Sequence, residues 1–376
     1  MQRLVNPFII SGYISSEYFC DREIETERLL HEVENGNNVA IIATRRMGKS
    51  GLIRHAFQRK KVSSNYYTFF VDIYSTRSLR EFVFMLSREI LEKLKPYGMK
   101  ALQGFWNSVK SLQTGISFSP MGDPSFNFQL GDLRQSENTL DEIFNYLKQA
   151  DHPCIVAIDE FQQIATYPEK NVEALLRSYV QQCSNARFIF SGSQRHTMGV
   201  MFSSPARPFF QSVSMMHLEA IDEEKYKIFA CNHFEKNGKK LQSEVVSEVF
   251  RIAQGITWYV QKLFNTLYAK TAKGETCTKE MVQSSLDEIL STMDYTYREI
   301  LFRMPEKQKE VFIAIAKEGH AKSITSGSFI HKYRLPSSSM VQSAVKGLLE
   351  RDYLTYEQGE YSVYDLFLTY WIQKYY

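Results

Sequence analysis

The chain has 376 residues, 44% of them hydrophobic and 23% charged, with a formal net charge of +3. That is enough for two or three domains with ordinary cores, and too weakly basic to argue alone for a nucleic-acid or membrane partner. Five scattered cysteines without C-x-x-C spacing, no leader and no long apolar run argue against a disulfide framework, a zinc site or a membrane span. The expectation is a cytoplasmic protein with no membrane partner.

Residues 1–20 mix turn formers with aromatics (Asn6-Pro7-Phe8, Ser11-Gly12-Tyr13, Tyr18-Phe19) and read as an extended arm against the core. Asp21 is placed to cap a helix over 22–34, whose apolar face carries Ile24, Leu29, Leu30 and Val33. Gly36 supplies a left-handed stop. The run Val39-Ala40-Ile41-Ile42 then suits a buried strand. It opens into Ala43-Thr44-Arg45-Arg46-Met47-Gly48-Lys49-Ser50-Gly51 and a helix from Leu52. This is the phosphate-loop pattern G-x-x-x-x-G-K-[ST] between strand and helix, with Ala43 at the first position. Gly48 would let the backbone pass close to a phosphate. Successive N–H groups of Arg45, Arg46, Met47, Gly48 and Gly51, with the helix N-terminus, would cradle the anion. Lys49 would reach the β- and γ-phosphates, and the Ser50 hydroxyl would ligate Mg²⁺.

A second strand follows at 66–72, ending in Asp72, and a helix over 79–94 has Phe82, Leu86, Ile90 and Leu94 at intervals of four. Residues 96–136 break the pattern. A short helix around Phe105-Trp106 is expected, then a β-hairpin from the alternating stretches 115–119 and 125–130, without an evident role. A helix over 139–150 precedes Ile155-Val156-Ala157-Ile158, a buried strand that ends in Asp159-Glu160. Parallel sheets bind ligands at the carboxyl ends of their strands. Asp159 would therefore hold Mg²⁺ with Ser50, and Glu160 would orient or deprotonate an attacking water. After a helix over 172–183, the strand 187–190 leads to Ser193, Gln194 and Arg195 near the expected γ-phosphate. Gln194 is placed to hydrogen-bond the attacking water. Arg195 either stabilises transition-state charge or pairs with a carboxylate. Residues 215–218 read as the last core strand. Helical periodicity then runs over 223–237, 243–254, 257–272 and 279–292. Residues 305–376 suit three helices (from Pro305 to 317, 327–333 and 337–350), a hairpin over 353–364, and a closing aromatic helix over 366–375.

The stretch Ala43 to Ser50 resembles the G-x-R-R-x-G-K-[ST] loop of the archaeal-type ATPases, a branch of the STAND and AAA-like P-loop NTPases also common in bacteria. Tyr18-Phe19-Cys20-Asp21-Arg22-Glu23 resembles that family's F-x-x-R-E segment, which implies that Phe19 and Arg22 border the adenine. Arg187 to Ser193 resembles its h-h-x-S-G-S strand, which carries a polar sensor of the γ-phosphate. The C-terminus is similar to the winged helix that ends the ATPase unit. Where the family has Gly-x-Pro touching the nucleotide, this chain has Gly255-Ile256-Thr257.

The expected architecture is a P-loop α/β core with a parallel sheet over 1–218, a helical lid over 219–295 and a winged helix over 296–376. The expected activity is Mg²⁺-dependent ATP hydrolysis by in-line attack of water, driving a molecular switch, with ATP or ADP and Mg²⁺ as ligands. Two rivals stand beside it: a nucleotide-gated protein-binding switch with little hydrolysis, and a DNA-binding winged-helix regulator with a secondary nucleotide site. A protein partner, DNA and a homo-oligomer are the possible partners. The expected recognition helix carries only Lys346, with Arg351 just beyond, where a DNA reader needs several phosphate and base contacts.

Overall fold

The computed structural model describes residues 5–94, 116–118, 124–126 and 133–376. The expected helix around Phe105-Trp106 lies outside the described residues. The strands expected from sequence form one five-stranded parallel sheet: β1 (Val39–Ile42), β2 (Tyr67–Asp72), β5 (Cys154–Asp159), β6 (Ala186–Gly192) and β7 (Ser214–His217). Their order is β2-β5-β6-β1-β7. Between β2 and β5 in sequence, β3 (Ile116–Phe118) and β4 (Pro124–Phe126) form the expected antiparallel hairpin.

Strand alternation sorts side chains onto the two faces of the sheet. Val39 and Ile41 of β1, Ile155 and Ala157 of β5, and Ile189 of β6 pack on one face with helices α1 (Glu23–Glu34) and α2 (Lys49–Gln58). A short helix, α3 (Lys60–Ser63), follows α2. Ala40, Ile42, Val156, Ile158, Phe188 and Phe190 pack on the other face. There they meet α4 (Leu79–Lys93), α5 (Leu133–Gln149), α6 (Val172–Gln182) and α7 (Arg195–Ser203). Every residue of β1 and β5 is buried, as a parallel sheet covered on both faces requires. Helix α5 starts earlier than the pattern from Thr139 indicated, at Leu133.

The start of α1 differs from expectation. Asp21 and Arg22 both have positive φ, at 61° and 75°, and no side chain caps the helix. The Asp21 carboxylate instead accepts from the Asp222 N–H at 2.8 Å and from Lys225 Nζ at 2.9 Å. Its ionised form is stabilised there, which holds its pKa below the usual value despite burial.

The rest of the chain is helical: α8 (Glu223–Glu235), α9 (Ser243–Ala253), α10 (Thr257–Lys270), α11 (Glu280–Arg303), α12 (Glu306–Glu318), α13 (Gly327–Tyr333), α14 (Ser338–Glu350) and α15 (Leu366–Tyr375). Two short strands, β8 (Lys240–Leu241) and β9 (Thr276–Cys277), pair in parallel, and β10 (Leu354–Glu357) with β11 (Glu360–Val363) forms the hairpin after α14. Contacts divide the chain into two units, Met1–Phe229 with Gln254–Lys262, and Ala230–Ala253 with Leu263–Tyr376. The first turns of α10 thus belong with the sheet. In the second unit α11 runs unbroken through residue 295. Trp371 of α15 is fully buried and donates its indole N–H to Asp294 at 2.9 Å. Ser337 caps α14, and Asp365 caps α15 by accepting from Phe367 and Leu368 N–H. No helix among the described residues is long and apolar enough to cross a membrane.

Candidate functional site

The carboxyl ends of β1, β5 and β6 bring together residues from three separate stretches of sequence. The loop after β1 turns through Arg46 (φ 69°) and Gly48 (φ 90°), and α2 starts at Lys49. Gly48 is needed for its backbone angle: a Cβ there would meet only the Thr257 side chain, at an ordinary 3.7 Å. Ala43 is not among the positive-φ residues, so alanine serves where the motif has glycine. The Lys49 ammonium is buried and donates to the carbonyls of Ala43 (2.8 Å) and Thr44 (3.1 Å). Burial lowers its pKa, opposed by the carboxylates of Glu160 and Asp159.

Asp159 ends β5 and is buried. Its Oδ2 accepts from Ser50 Oγ at 2.5 Å, and its Oδ1 accepts from the Ser191 hydroxyl and the Glu160 N–H. The pair expected from the two motifs, Ser50 and Asp159, is therefore in contact across the intervening strand β6. Ser191 was not singled out from the sequence. Its signal was its place in the Ser-Gly-Ser stretch, two residues before the expected sensor.

Glu160 follows in the left-handed region at φ 56°. Its Oε2 accepts from Ser193 Oγ at 2.6 Å and from Gln162 Nε2 at 2.5 Å. Gln162 lies in a 3₁₀ turn, Phe161–Thr166, and is 4% exposed. Its Oε1 is buried without a hydrogen-bond partner among the described residues and faces Gly192, where an added Cβ would stand 2.4 Å from it. Gly192 is thus required by a close approach. Gln194, expected near the attacking water, is the exposed residue before α7, and its amide oxygen accepts from Thr197 at 3.1 Å. The amide on Glu160 belongs to Gln162.

Asp72 pairs in register with Asp159. Asp72 is exposed on its outer side, but partial desolvation against the sheet raises its pKa, and the Asp159 and Glu160 carboxylates push it the same way against the Tyr74 N–H that it accepts at 2.9 Å.

On the other side of the loop, Phe19 lies against the first turn of α2, 3.4 Å from where a Gly51 Cβ would stand. Arg22 is 3% exposed and reaches the Met47 carbonyl (3.4 Å) and the Glu219 carbonyl (2.7 Å). Arg45 stacks over Tyr74, its guanidinium carbon 5.1 Å from the ring. Arg46 turns from the loop toward α10: its guanidinium lies over Trp258 (4.5 Å) and Tyr259 (4.9 Å) and donates to the Tyr259 hydroxyl. The Trp258 N–H donates to the Arg46 carbonyl and Thr257 Oγ1 to the Met47 carbonyl, each at 3.0 Å. Thr257, standing where the resembled family has proline, touches the loop through its hydroxyl. Sequence reasoning missed Trp258 and Tyr259, because nothing local marks two aromatics of a helix as partners of an arginine some 210 residues earlier.

The site brings together a buried lysine, a hydroxyl and carboxylate already paired, and a second carboxylate held by two donors. Comparison with known proteins gives the family and the fold. Residues 19–299 match the profile of a family described as an ATPase domain predominantly from Archaea, and residues 295–374 match a probable winged helix domain. A Walker-type ATPase of Pyrococcus abyssi has a similar structure, with TM-score 0.65 and 16% identity over 98% of this chain and 99% of that one. So does the ORC2 protein of Aeropyrum pernix, solved with ADPNP and ADP, at TM-score 0.58 and 13% identity over 98% and 97%. The ORC1 protein of Aeropyrum pernix, solved with DNA, gives TM-score 0.54 and 13% identity over 95% and 93%. A comparison with curated protein sequences gave no match. The chain belongs to the family of ATPase domains found predominantly in Archaea, a P-loop α/β ATPase fold followed by a C-terminal winged helix domain.

Proposed function

We propose that the protein binds and hydrolyses ATP and uses the cycle as a conformational switch. The observation that carries this reading is the convergence of Lys49, Ser50, Asp159 and Glu160 at the carboxyl ends of two parallel strands. Lys49 would leave its two carbonyl acceptors for the β- and γ-phosphate oxygens. Ser50 and Asp159 offer two hard oxygen donors in contact, a set that fits Mg²⁺, which takes one or two protein oxygens and completes its shell with phosphate and water. The bound ion would neutralise charge on the β- and γ-phosphates.

Glu160 would accept a proton from the attacking water. Ser193 and Gln162 keep its carboxylate in one place, and the buried Gln162 Oε1 is a spare acceptor beside it. Phe19 and Arg22 would border the adenine. The switch would run through α10, whose first residues hold the carbonyls of Arg46 and Met47. A loop reshaped by nucleotide would shift that helix, which continues to Lys270. The parts that respond would be the lid and winged helix, over 219–295 and 296–376, and a protein partner or a second copy would read the change.

The test is phosphate release from ATP with and without Mg²⁺, for wild type and Lys49→Ala. Turnover that needs the metal and is lost in a folded variant supports the reading. ATP binding by Lys49→Ala at unchanged affinity sinks it.

A second reading, DNA binding by the winged helix, is favoured by the DNA complex of the Aeropyrum pernix ORC1 protein. The exposed face of α14 offers Ser338, Ser339, Gln342, Ser343 and a single cation, Lys346. Duplex binding that weakens steeply with salt would support it.

A further inference from the structure

A cavity of about 450 Å³ opens on the face of the first unit that carries α1 and α2. It lies between the N-terminal arm, α1 and the end of α2, and is not part of the phosphate loop. Tyr13 and His55 line it, with a 2.9 Å hydrogen bond between the Tyr13 hydroxyl and His55 Nδ1. Arg59, Lys60 and Lys61 line it too, against one acidic residue, Glu27. Two of these cations have exposed partners: Arg59 meets Glu27 at 3.0 Å and Lys61 meets Glu34 at 2.6 Å. Lys60 has no ion pair among the described residues. Exposed pairs are screened by solvent and contribute little, so a stronger anion displaces them readily.

The carbonyls at the end of α2 favour a cation nearby, but that accounts for neither three in a row nor a half-enclosed space beside them. The volume falls in the range of pockets for small organic ligands, roughly 300–1,000 Å³. The wall is mixed in character. Leu30 and the Tyr13 ring offer apolar surface, and burial and Arg59 hold the His55 pKa below its usual value. At about 1.5 Å per helical residue, Arg59 lies roughly 14 Å beyond Ser50, too far for these cations to serve a phosphate in the loop.

We propose that this cavity is a second site, taking a small phosphorylated molecule whose phosphate meets Arg59, Lys60 and Lys61 and whose remainder packs on Tyr13 and His55. A half-enclosed space with one cationic rim suits a small ligand rather than a nucleic-acid strand, which needs a continuous basic track. The site has a physical route to the first. The His55 ring stacks on Phe19 with centroids 4.4 Å apart and planes 16° apart, and Phe19 lies against Gly51 of the loop helix. A ligand that moves His55 therefore moves the side chain next to the nucleotide site. The proposal does not rest on ATP hydrolysis and stands if the protein only binds nucleotide.

The test uses inorganic pyrophosphate as probe, with the loop site saturated by Mg-ADP, and follows the His55 imidazole resonances by NMR, assigned with His55→Gln. The expected result is a saturable shift of His55 that persists under Mg-ADP. The exposed-site double variant Lys60→Gln/Lys61→Gln should weaken it at least about fivefold while the spectrum stays that of a folded protein. Absence of a saturable shift, or equal affinity in the double variant, overturns the proposal. So does loss of the shift when Mg-ADP is added, because the cavity would then be an extension of the nucleotide pocket.

Discussion

Replacing Gln162 by leucine separates the packing role of this residue from its hold on Glu160. The side chain is 4% exposed, its Nε2 donates to the Glu160 carboxylate at 2.5 Å, and its Oε1 has no partner among the described residues. Leucine has a similar size but neither polar atom. Loss of a hydrogen bond to a charged group costs about 1.5–3 kcal/mol, and removing a buried unsatisfied acceptor returns about 1–3 kcal/mol. The two offset, so Gln162→Leu should unfold within about 1–2 kcal/mol of wild type in urea. Glu160 would keep Ser193 as its one remaining side-chain donor. If half of the lost bond is felt where water is positioned, kcat falls about three- to tenfold, since about 1.4 kcal/mol is a factor of ten. ATP affinity should stay within about twofold, because Gln162 touches neither the loop nor Ser50. The assays are urea unfolding, nucleotide titration and steady-state turnover on one preparation. Unchanged kcat together with a loss of several kcal/mol in stability would refute the reasoning and make Gln162 a packing residue only.

Asp72→Asn tests the electrostatics of the strand ends. The folded-state pKa of Asp72, an exposed residue at the strand end, is raised above 3.8 by partial desolvation and by its acidic neighbours, so the native state binds more protons than the unfolded chain in the window above 3.8. Stability therefore falls as pH rises through that window, and the asparagine variant should be the more stable at pH 7, with the advantage gone below about pH 3.8. Urea unfolding at several pH values checks it, and an equal or lower stability at pH 7 contradicts it. Arg46→Ala removes the guanidinium from Trp258 and Tyr259. Hydrogen exchange across 220–376 should differ between Mg-ATP and Mg-ADP in wild type, and the difference should shrink in the variant. Identical patterns for both nucleotides in wild type would mean that the C-terminal half is passive.

What could be read from sequence was what is encoded locally. The phosphate loop and the acidic strand end are contiguous motifs, and their contact, Ser50 to Asp159, follows from strand ends that share one edge of a parallel sheet. The winged-helix elements were legible because each carries its own start signal, such as Ser337 before α14 and Asp365 before α15. The missed features are long-range. Ser191 and Ser193 are two residues apart and pleat does not separate them; only the register of β5 on β6, with Ile158 opposite Phe190, sets Ser191 beside Asp159. Gln194 and Gln162 are equally polar in sequence, and only the 3₁₀ turn after β5 carries the second onto Glu160. Asp21 has the character of a helix cap, but Lys225 and the Asp222 N–H compete for its carboxylate and win. The rings of Trp258 and Tyr259 look like core residues until the left-handed turn at Arg46 aims a guanidinium at them.

The claim that matters most is that Glu160 performs chemistry at a nucleotide held by Lys49 and Ser50. Single-turnover hydrolysis of Mg-ATP by wild type and Glu160→Gln, with ATP affinity measured in parallel, tests it most directly. The account predicts equal affinity and a rate lower by about 10²–10⁴ in the variant, since an amide cannot accept the proton. Equal rates in the two proteins would contradict it and leave Glu160 as a carboxylate that only ends a strand.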